Sequence, residues 1–567
     1  MATGEKMNGA RVLIEALADE GVEIIFGYPG AATIPIHDVL MEGRIRHVLV
    51  RHEQGAAHAA DGYARATGKV GVCLATSGPG ALNLVCGIAT AYMDSVPMVA
   101  ITGQVATFKL GTDAFQEADT TGVTDPIVKH NYLAKDVSEI PAVVQEAFHV
   151  ASTGRPGPVL IDIPLDLSFA EIEYRRPPKI NMLAYKPTVI GHPGQIKKAV
   201  ALIDASEKPL IIAGGGVIAA DASGELRRLM EKANIPVVYT LMGKGAFPDG
   251  DPLNLGMLGM HGSPYANHAA KGCDLLIAVG MRFSDRSTGK TSAFAPDAQV
   301  VHIDVDPAEI GKMRRPTVPI VGDAKNILHS LGSKVREARH QEWIAQLEKW
   351  RKKHVTRQPK DCGRIMPQEI FDAINHVILN SIQDQQAIVC TDVGQHQMWA
   401  AQSILTRRPR QFLSSGGLGT MGYGLPAAVG AQMGMPDATV FVIAGDGSIL
   451  MNNQELMTAV EQRLPIKIAL FNNGYLGMVR QWQQIFYDRR YASTDISCQP
   501  DFVALAKAYG AEGLRVEKSE EIMPALEAAM KITDRPCLIE FLVAREANVL
   551  PMIPAGGSTD DMILEMD

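Results

Sequence analysis

The sequence predicts an α/β protein built from three doubly wound parallel-sheet domains, and three observations carry that prediction. Short, continuously apolar runs such as residues 440–443 and 466–471 stop at Gly- or Asn-rich loops, as buried parallel strands do. Between such runs apolar residues recur at helical spacing, for example Leu456, Ala459, Val460 and Leu464. Two Pro-rich or charged stretches, 166–194 and 335–361, divide a chain of 567 residues, which at roughly 150 residues per domain implies three to four domains. The expected division is 1–185, 190–345 and 366–545, followed by a tail over 546–567.

Composition excludes several classes. With 46% hydrophobic and 20% charged residues the chain reads as globular. A net charge of −8 offers no basic field to offset phosphate repulsion, so no nucleic-acid partner is expected. The seven cysteines are scattered, without a CxxC pair, which points to neither a disulfide framework nor a zinc site and suits a reducing cytoplasm. The start leads directly into an amphipathic helix, with no h-region or Arg/Ser-rich presequence, and no run reaches the ~18 apolar residues that span a bilayer. The expectation is a soluble, untargeted cytoplasmic protein with no membrane partner.

In the first domain, strands are expected at 48–50, 70–75, 97–101 and 159–161, alternating with Ala-rich helices. Their ends carry GYPGAA, RHEQGAAHAADGYAR, TSGPGALN and GTDAFQEAD. After a linker over 166–194, the second domain opens with a helix over 195–203 and a strand over 210–212 that runs into AGGGVI. Further strands are expected at 237–239, 275–279 and 300–303. In the third domain the strand over 440–443 ends at Gly445-Asp446-Gly447, a helix follows, and the strand over 466–471 ends at Asn472-Asn473.

Asp446 and Asn473 therefore both sit at carboxyl ends of parallel strands, where open α/β sheets bind ligands. A carboxylate, an amide oxygen and a nearby backbone carbonyl are hard donors suited to Mg²⁺ that keeps positions free for phosphate oxygens. Either GDG or NN alone reads as a turn. Together, 27 residues apart at successive strand ends, they resemble the thiamin diphosphate signature. Glu53 follows the strand over 45–50 at the start of a helix, where the helix dipole favours a carboxylate. A Glu there is by default a cap partner. Its context, RHEQGAAHAADGYARATGKVG, resembles the pyrimidine-binding segment of thiamin diphosphate enzymes.

With TGRPGP, GMLGMHG, RFSDR, SSGGLGTMG and LGMVRQWQ also present in order, the chain resembles the catalytic subunit of the acetohydroxyacid (acetolactate) synthase family, from about residue 8 to 556. The resemblance implies three domains of the thiamin diphosphate enzyme type: pyrimidine-binding, FAD-binding and diphosphate-binding. It implies decarboxylation of pyruvate and transfer of the hydroxyethyl unit to a second pyruvate or 2-ketobutyrate, in valine, leucine and isoleucine biosynthesis. Thiamin diphosphate, Mg²⁺ and a structural FAD are the implied cofactors. Implied partners are a second copy of the chain, as homodimer or homotetramer, with the two cofactor-binding domains of one site in different subunits, and a regulatory small subunit.

Residue by residue, the resemblance makes Glu53 and Gln116 catalytic, and Asp446, Asn473 and Tyr475 metal ligands. Tyr28, Pro29, Pro79, Asn83, Gly394, Gln395, His396, Gly419, Met421, Gly445, Gly447, Ser448, Gly477 and Met478 would hold thiamin diphosphate, with Met421 imposing its bent form. FAD would lie on Gly214, Gly215, Gly216, Thr240, Leu241, Met260, His261, Gly280, Arg282, Asp304 and Asp323. Ala31, Phe115, Arg286 and Trp482 would contact substrate; an Arg fork suits a carboxylate.

Three positions depart from the family pattern: Leu165 stands for a Lys in IPKDV, Ala31 for a Gly in GYPGGA, and Ser284 for an Asp in FDDR. None is catalytic. The alternatives are glyoxylate carboligase, against which Glu53 counts because that family has an apolar residue there, and catabolic acetolactate synthase, which lacks the RF(D/S)DR pattern. A noncatalytic regulatory scaffold is disfavoured by intact Glu53, Asp446 and Asn473, and a nicotinamide dehydrogenase by the missing fingerprint acid.

Overall fold

The computed structural model describes residues 6–178, 180–354, 363–380 and 387–566; Cys362 and residues 355–361 of the second charged stretch lie outside them. Three six-stranded sheets, each wholly parallel, form the chain. In the first, strand order is Arg46–Leu49, Ile24–Tyr28, Gly71–Ala75, Met98–Gln104, Pro158–Pro164, His130–Leu133. The third has the same topology: Phe412–Ser414, Ala387–Thr391, Thr439–Gly445, Lys467–Asn472, Cys537–Leu542, Glu512–Val516. Counted within each domain, both run second, first, third, fourth, sixth, fifth. The middle sheet differs, with the order Asn254–Met257, Val237–Tyr239, Pro209–Ala213, Leu275–Val279, Gln299–Asp304, Val318–Val321. This is the third, second, first, fourth, fifth, sixth arrangement of dinucleotide-binding folds.

Each expected strand is present with its ends within three residues of those expected; Val237–Tyr239 and Leu275–Val279 coincide, Gly71–Ala75 is one residue shorter and Arg46–Leu49 is displaced toward the N-terminus. Most of the strands not anticipated are short or lie late in their domain, Ala387–Thr391 being an exception. His130–Leu133, for instance, is four residues with no fully buried position, so it shows no apolar run to read.

The first and third sheets share one buried core, in which Phe26, Ala60 and Leu160 join Leu425, Val440 and Leu470. Its centre is the helix pair Glu53–Thr67 and Gly424–Gly434. Gly62 lies against the backbone of Ala427 and Gly430 against that of Ala59, so a side chain at either glycine would strike main chain. Only small residues allow two helices this close. The middle sheet has its own core around Ile211, Val279 and Ile303.

Two readings need correction. The stretch 166–194 is not a free linker: Glu171–Glu173 pairs antiparallel with Lys6–Asn8, a strand that also precedes the expected first helix, Gly9–Asp19. Lys129 Nζ binds Tyr185 Oη at 3.0 Å and Thr153 O at 2.8 Å, fastening the segment to the first domain. Nor does the second charged stretch merely separate domains. Helix Gln341–Lys353 buries Trp343 and Leu347 on the middle domain, and Trp343 Nε1 donates to Pro209 O at 3.1 Å. In both cases sparse apolar anchors inside a charged sequence suffice for docking. The tail over 546–566 is likewise packed, with Ile553 N donating to Met260 O at 2.8 Å.

Candidate active site

In the third domain the chain reverses direction across the sheet between strands Ala387–Thr391 and Thr439–Gly445, opening a crevice at their carboxyl ends. Asp446 leaves one strand end and is 2% exposed; it accepts hydrogen bonds from Gly474 N at 2.7 Å and Gly447 N at 3.0 Å. Burial pushes its carboxyl up to about 7. Its hydrogen bonds come from backbone amides, so the carboxylate presents its charge to the crevice. Asn473, at the end of the next strand, accepts from Tyr475 N at 3.0 Å and donates to Gln395 Oε1 at 3.3 Å.

Among the described residues no three His, Cys, Asp or Glu converge. The donor set available beside Asp446 is thus one carboxylate, the Asn473 amide oxygen and backbone carbonyls, which fits a hard ion such as Mg²⁺ and not a soft one.

His396 lies beneath the GDG turn, where a Cβ on Gly445 would come 2.7 Å from its Nδ1. Its Nε2 is buried without a hydrogen-bond partner, and burial pushes its pKa down to about 3. A neutral imidazole with one unsatisfied nitrogen beside a glycine turn fits a diphosphate oxygen or its bridging water. Gln395 faces the other way: its Nε2 donates to Gln481 Oε1 and Ala547 O, both at 2.9 Å, so its side chain holds helix Gly477–Phe486 and the tail. Gly477 and Met478 open that helix, and Gly477 lies against the Gln395 amide. Ser448 Oγ closes the turn on Gly445. Asp392 accepts from Gly422 N at 2.8 Å and Gly424 N at 3.2 Å, which sets the loop carrying Gly419 and Met421; it opens the DVGQHQ motif, in which sequence reading gave a role only to Gly394, Gln395 and His396.

The middle domain reverses between Pro209–Ala213 and Leu275–Val279. Loops 214–216 and 280–282 leave these two strands in backbone contact, since a Cβ on Gly216 would lie 2.7 Å from Gly280 Cα. Together they line a cavity of about 1450 Å³. Of the residues expected to hold FAD, all line this cavity but Gly214, which is packed against Gly280 behind the wall. Asp304 ends strand Gln299–Asp304 at the cavity, with its carboxyl pushed up to about 6 by burial. Sequence reading quoted TGRPGP but assigned none of its residues. Arg155 from that motif also lines the cavity, held by Glu309 at 2.8 Å and Asp306 at 3.2 Å.

The same cavity is walled by Gly394, Gly419, Met421, Met478, Trp482 and Arg286, so the glycine-loop cleft and the strand ends of the third domain open into one space.

The first domain contributes a separate cluster. Its reversal falls between Ile24–Tyr28 and Gly71–Ala75, whose loops bring Gly30 against Thr76. Glu53 is the first residue of helix Glu53–Thr67, and its Oε2 accepts from Asn83 Nδ2 at 3.0 Å. Gly80, next to Pro79, leaves room for Glu53 Oε1, which would lie 3.2 Å from a Cβ there. Gln116 has a φ of 60° and its carbonyl lies against Gly78. Phe115 is 88% exposed and Tyr28 39%, with Pro29 and Ala31 also exposed. None of these residues lines that cavity, to which the first domain contributes residues 93–95 and 152–156 instead. The predicted site therefore appears as two constellations within one chain.

Residues 7–123, 196–331 and 392–541 match, respectively, the N-terminal TPP binding, central and C-terminal TPP binding domains of the thiamine pyrophosphate enzyme family. The chain is 50% identical to the acetolactate synthase large subunit of Corynebacterium glutamicum, over 99% of this chain and 91% of that one. It is 50% identical to the probable acetolactate synthase large subunit of Methanocaldococcus jannaschii, over 98% and 95%. With the acetolactate synthase large subunit of Parasynechococcus marenigrum it shares 49%, over 99% and 91%.

Proposed function

The chain belongs to the acetolactate synthase large-subunit family of thiamine pyrophosphate enzymes, and on that premise we propose that it joins the two-carbon unit left by decarboxylation of pyruvate to a second pyruvate or to 2-ketobutyrate. The observation that carries the choice of acceptor is the common wall of Arg286 and Trp482 in the cavity that also reaches Met421 and Gly419.

Bound thiamin diphosphate supplies the electron sink for loss of carbon dioxide. Asp446, the Asn473 amide oxygen and the Tyr475 carbonyl would hold Mg²⁺, whose charge would offset that of the diphosphate. His396 Nε2, Gly447 and Ser448 would hold the diphosphate, and Met421 would pack against the body of the cofactor. Glu53, with one oxygen steadied by Asn83, would hold the proton at the pyrimidine N1′. Gln116, whose carbonyl lies against Gly78, would line the same side of the site. Arg286 takes the acceptor's carboxylate, and Trp482 packs on its alkyl group.

Gly215, Gly216 and Gly280 would hold FAD in the cleft, in a structural role, because carboligation moves no net electrons. The two constellations fit a site shared by two chains, with Glu53 of one facing Asp446 of the other, so a homodimer is the minimum active unit. The large-subunit relatives imply a small subunit as regulatory partner.

The test is a product assay with pyruvate alone and with pyruvate plus 2-ketobutyrate, with thiamin diphosphate, Mg²⁺ and FAD supplied. Acetolactate and acetohydroxybutyrate are expected. Formation of neither, or condensation of glyoxylate instead, overturns the reading.

A further inference from the structure

Glu455 is a carboxylate that the chemistry above does not use, yet it is 1% exposed at the start of helix Glu455–Glu461. Its side chain leaves the third domain and enters the first. Oε1 accepts from Arg51 N at 3.1 Å, and Oε2 accepts from Thr458 Oγ1 at 2.7 Å. A Cβ on Gly55 would fall 2.5 Å from Oε1, so the carboxylate fills the space where any other residue would carry a side chain. Arg51 and Gly55 bracket Glu53, and Arg51 also pairs with Glu461 from the same helix at 3.1 Å.

The geometry points to Glu455 as a positioning residue for Glu53: it pins the Arg51–Gly55 turn from across the domain boundary and so fixes where the Glu53 carboxylate points. Three physical points support this. Arg51 N precedes the His52 cap and has no place in the helix's own hydrogen bonds, so an external carboxylate that accepts from it fixes the chain's entry into the helix. Glu53 itself is held through its side chain by Asn83 alone among the described contacts, so its direction depends on its backbone. Displacement of a catalytic group by about 1 Å is enough to cost on the order of 10²-fold in rate. Gly55 is then explained as well, because its missing side chain is what admits the carboxylate.

This inference rests on the reading of Glu53 given above, and the experiment separates the two. Glu455→Ala, Glu455→Gln and Glu53→Gln are compared. In the cofactor-free protein, amide hydrogen exchange is followed over residues 49–56. In the holoenzyme with thiamin diphosphate, Mg²⁺ and FAD, exchange of the thiazolium C2 proton and cofactor affinity are measured.

Glu455→Ala is expected to speed amide exchange in that segment, and to slow C2 exchange, by about 10-fold or more, while cofactor affinity stays within about 3-fold. Glu455→Gln, whose amide oxygen still accepts from Arg51 N, recovers most of both. Parent-like C2 exchange in Glu455→Ala, or no recovery in Glu455→Gln, overturns the positioning role. If Glu455→Ala does not fold, Thr458→Val frees one carboxylate oxygen and must shift both exchange rates in the same directions; unchanged rates overturn the role. Should Glu53→Gln keep C2 exchange, the reading of Glu53 fails instead.

Discussion

The guanidinium of Arg286 lies over the indole of Trp482, 5.8 Å from the ring centroid, although the first comes from the middle domain and the second from the third. A cation at that distance is attracted by the ring's quadrupole, by about 0.5–1 kcal/mol where water has access. On the proposed reading the indole would have two tasks: to offer an apolar face to the acceptor's alkyl group, and to hold the fork that takes the acceptor's carboxylate. Asp285 adds a second restraint on Arg286 at 2.9 Å.

Trp482→Leu is expected to keep acetolactate formation and lose most preference for 2-ketobutyrate. One methylene in an apolar pocket is worth about 1–3 kcal/mol, or roughly 10–200-fold in selection. Arg286→Gln should impair both acceptors while still permitting decarboxylation of the first pyruvate. Competition assays with both ketoacids check this; a parent product ratio in Trp482→Leu assigns that side chain to packing.

Glu53→Gln should leave thiamin diphosphate bound while C2 proton exchange falls by about 10²-fold or more, since an amide cannot share the proton with N1′. Quenched exchange followed by NMR is the measurement.

Asp446→Ala should lose Mg²⁺ and diphosphate binding together. Isothermal titration with Mg²⁺ present and absent tests it, and tight metal-dependent binding in the variant contradicts the assignment.

The purified protein should carry flavin or gain activity when FAD is added. Activity should persist with a redox-inert flavin that fills the same cleft, because on the proposed reading the group would complete the cavity wall and carry no electrons. Strict dependence on flavin redox cycling refutes this.

Acid should destabilise the protein through buried neutral histidines. His47 is pushed down to about 4 by burial, with His37 beside it adding to the effect. The unfolded chain, near 6.5, then binds more protons between pH 6.5 and 4, so stability present above 6.5 is lost as pH falls through that window. A shift of this kind is worth about 2 kcal/mol per histidine between pH 6.5 and 5. His47→Gln should shrink the difference in Tm between pH 7.5 and pH 5; an unchanged difference removes His47 from this role.

Much was legible from local pattern. The GDG and NN loops, the glycine run after the strand at 209–213 and the RHEQ segment each combine an apolar run with a turn signal, and each stands at the strand end expected of it. Asp392, Arg155 and Glu455 were missed for a common reason. Each acts through a partner more than 25 residues away, on Gly422, Glu309 and Arg51, and no local spacing records such a contact. The docked strap over 171–185 and helix Gln341–Lys353 escaped because a few buried anchors lie within charged text.

By itself the sequence determined the class of each domain, the strand ends that carry chemistry and the residue types available there, because these follow from periodicity and from the short-range demands of turns. Only the tertiary structure decided which strand ends adjoin. Strand order places Gly216 against Gly280 and Asp392 beside the GDG turn, and it joins the first and third domains through the helices Glu53–Thr67 and Gly424–Gly434. It also set the Glu53 cluster apart from the cavity of Arg286 and Trp482. These are relations between segments from about fifty to several hundred residues apart, settled by how whole sheets and helices pack, and no short window of sequence contains them.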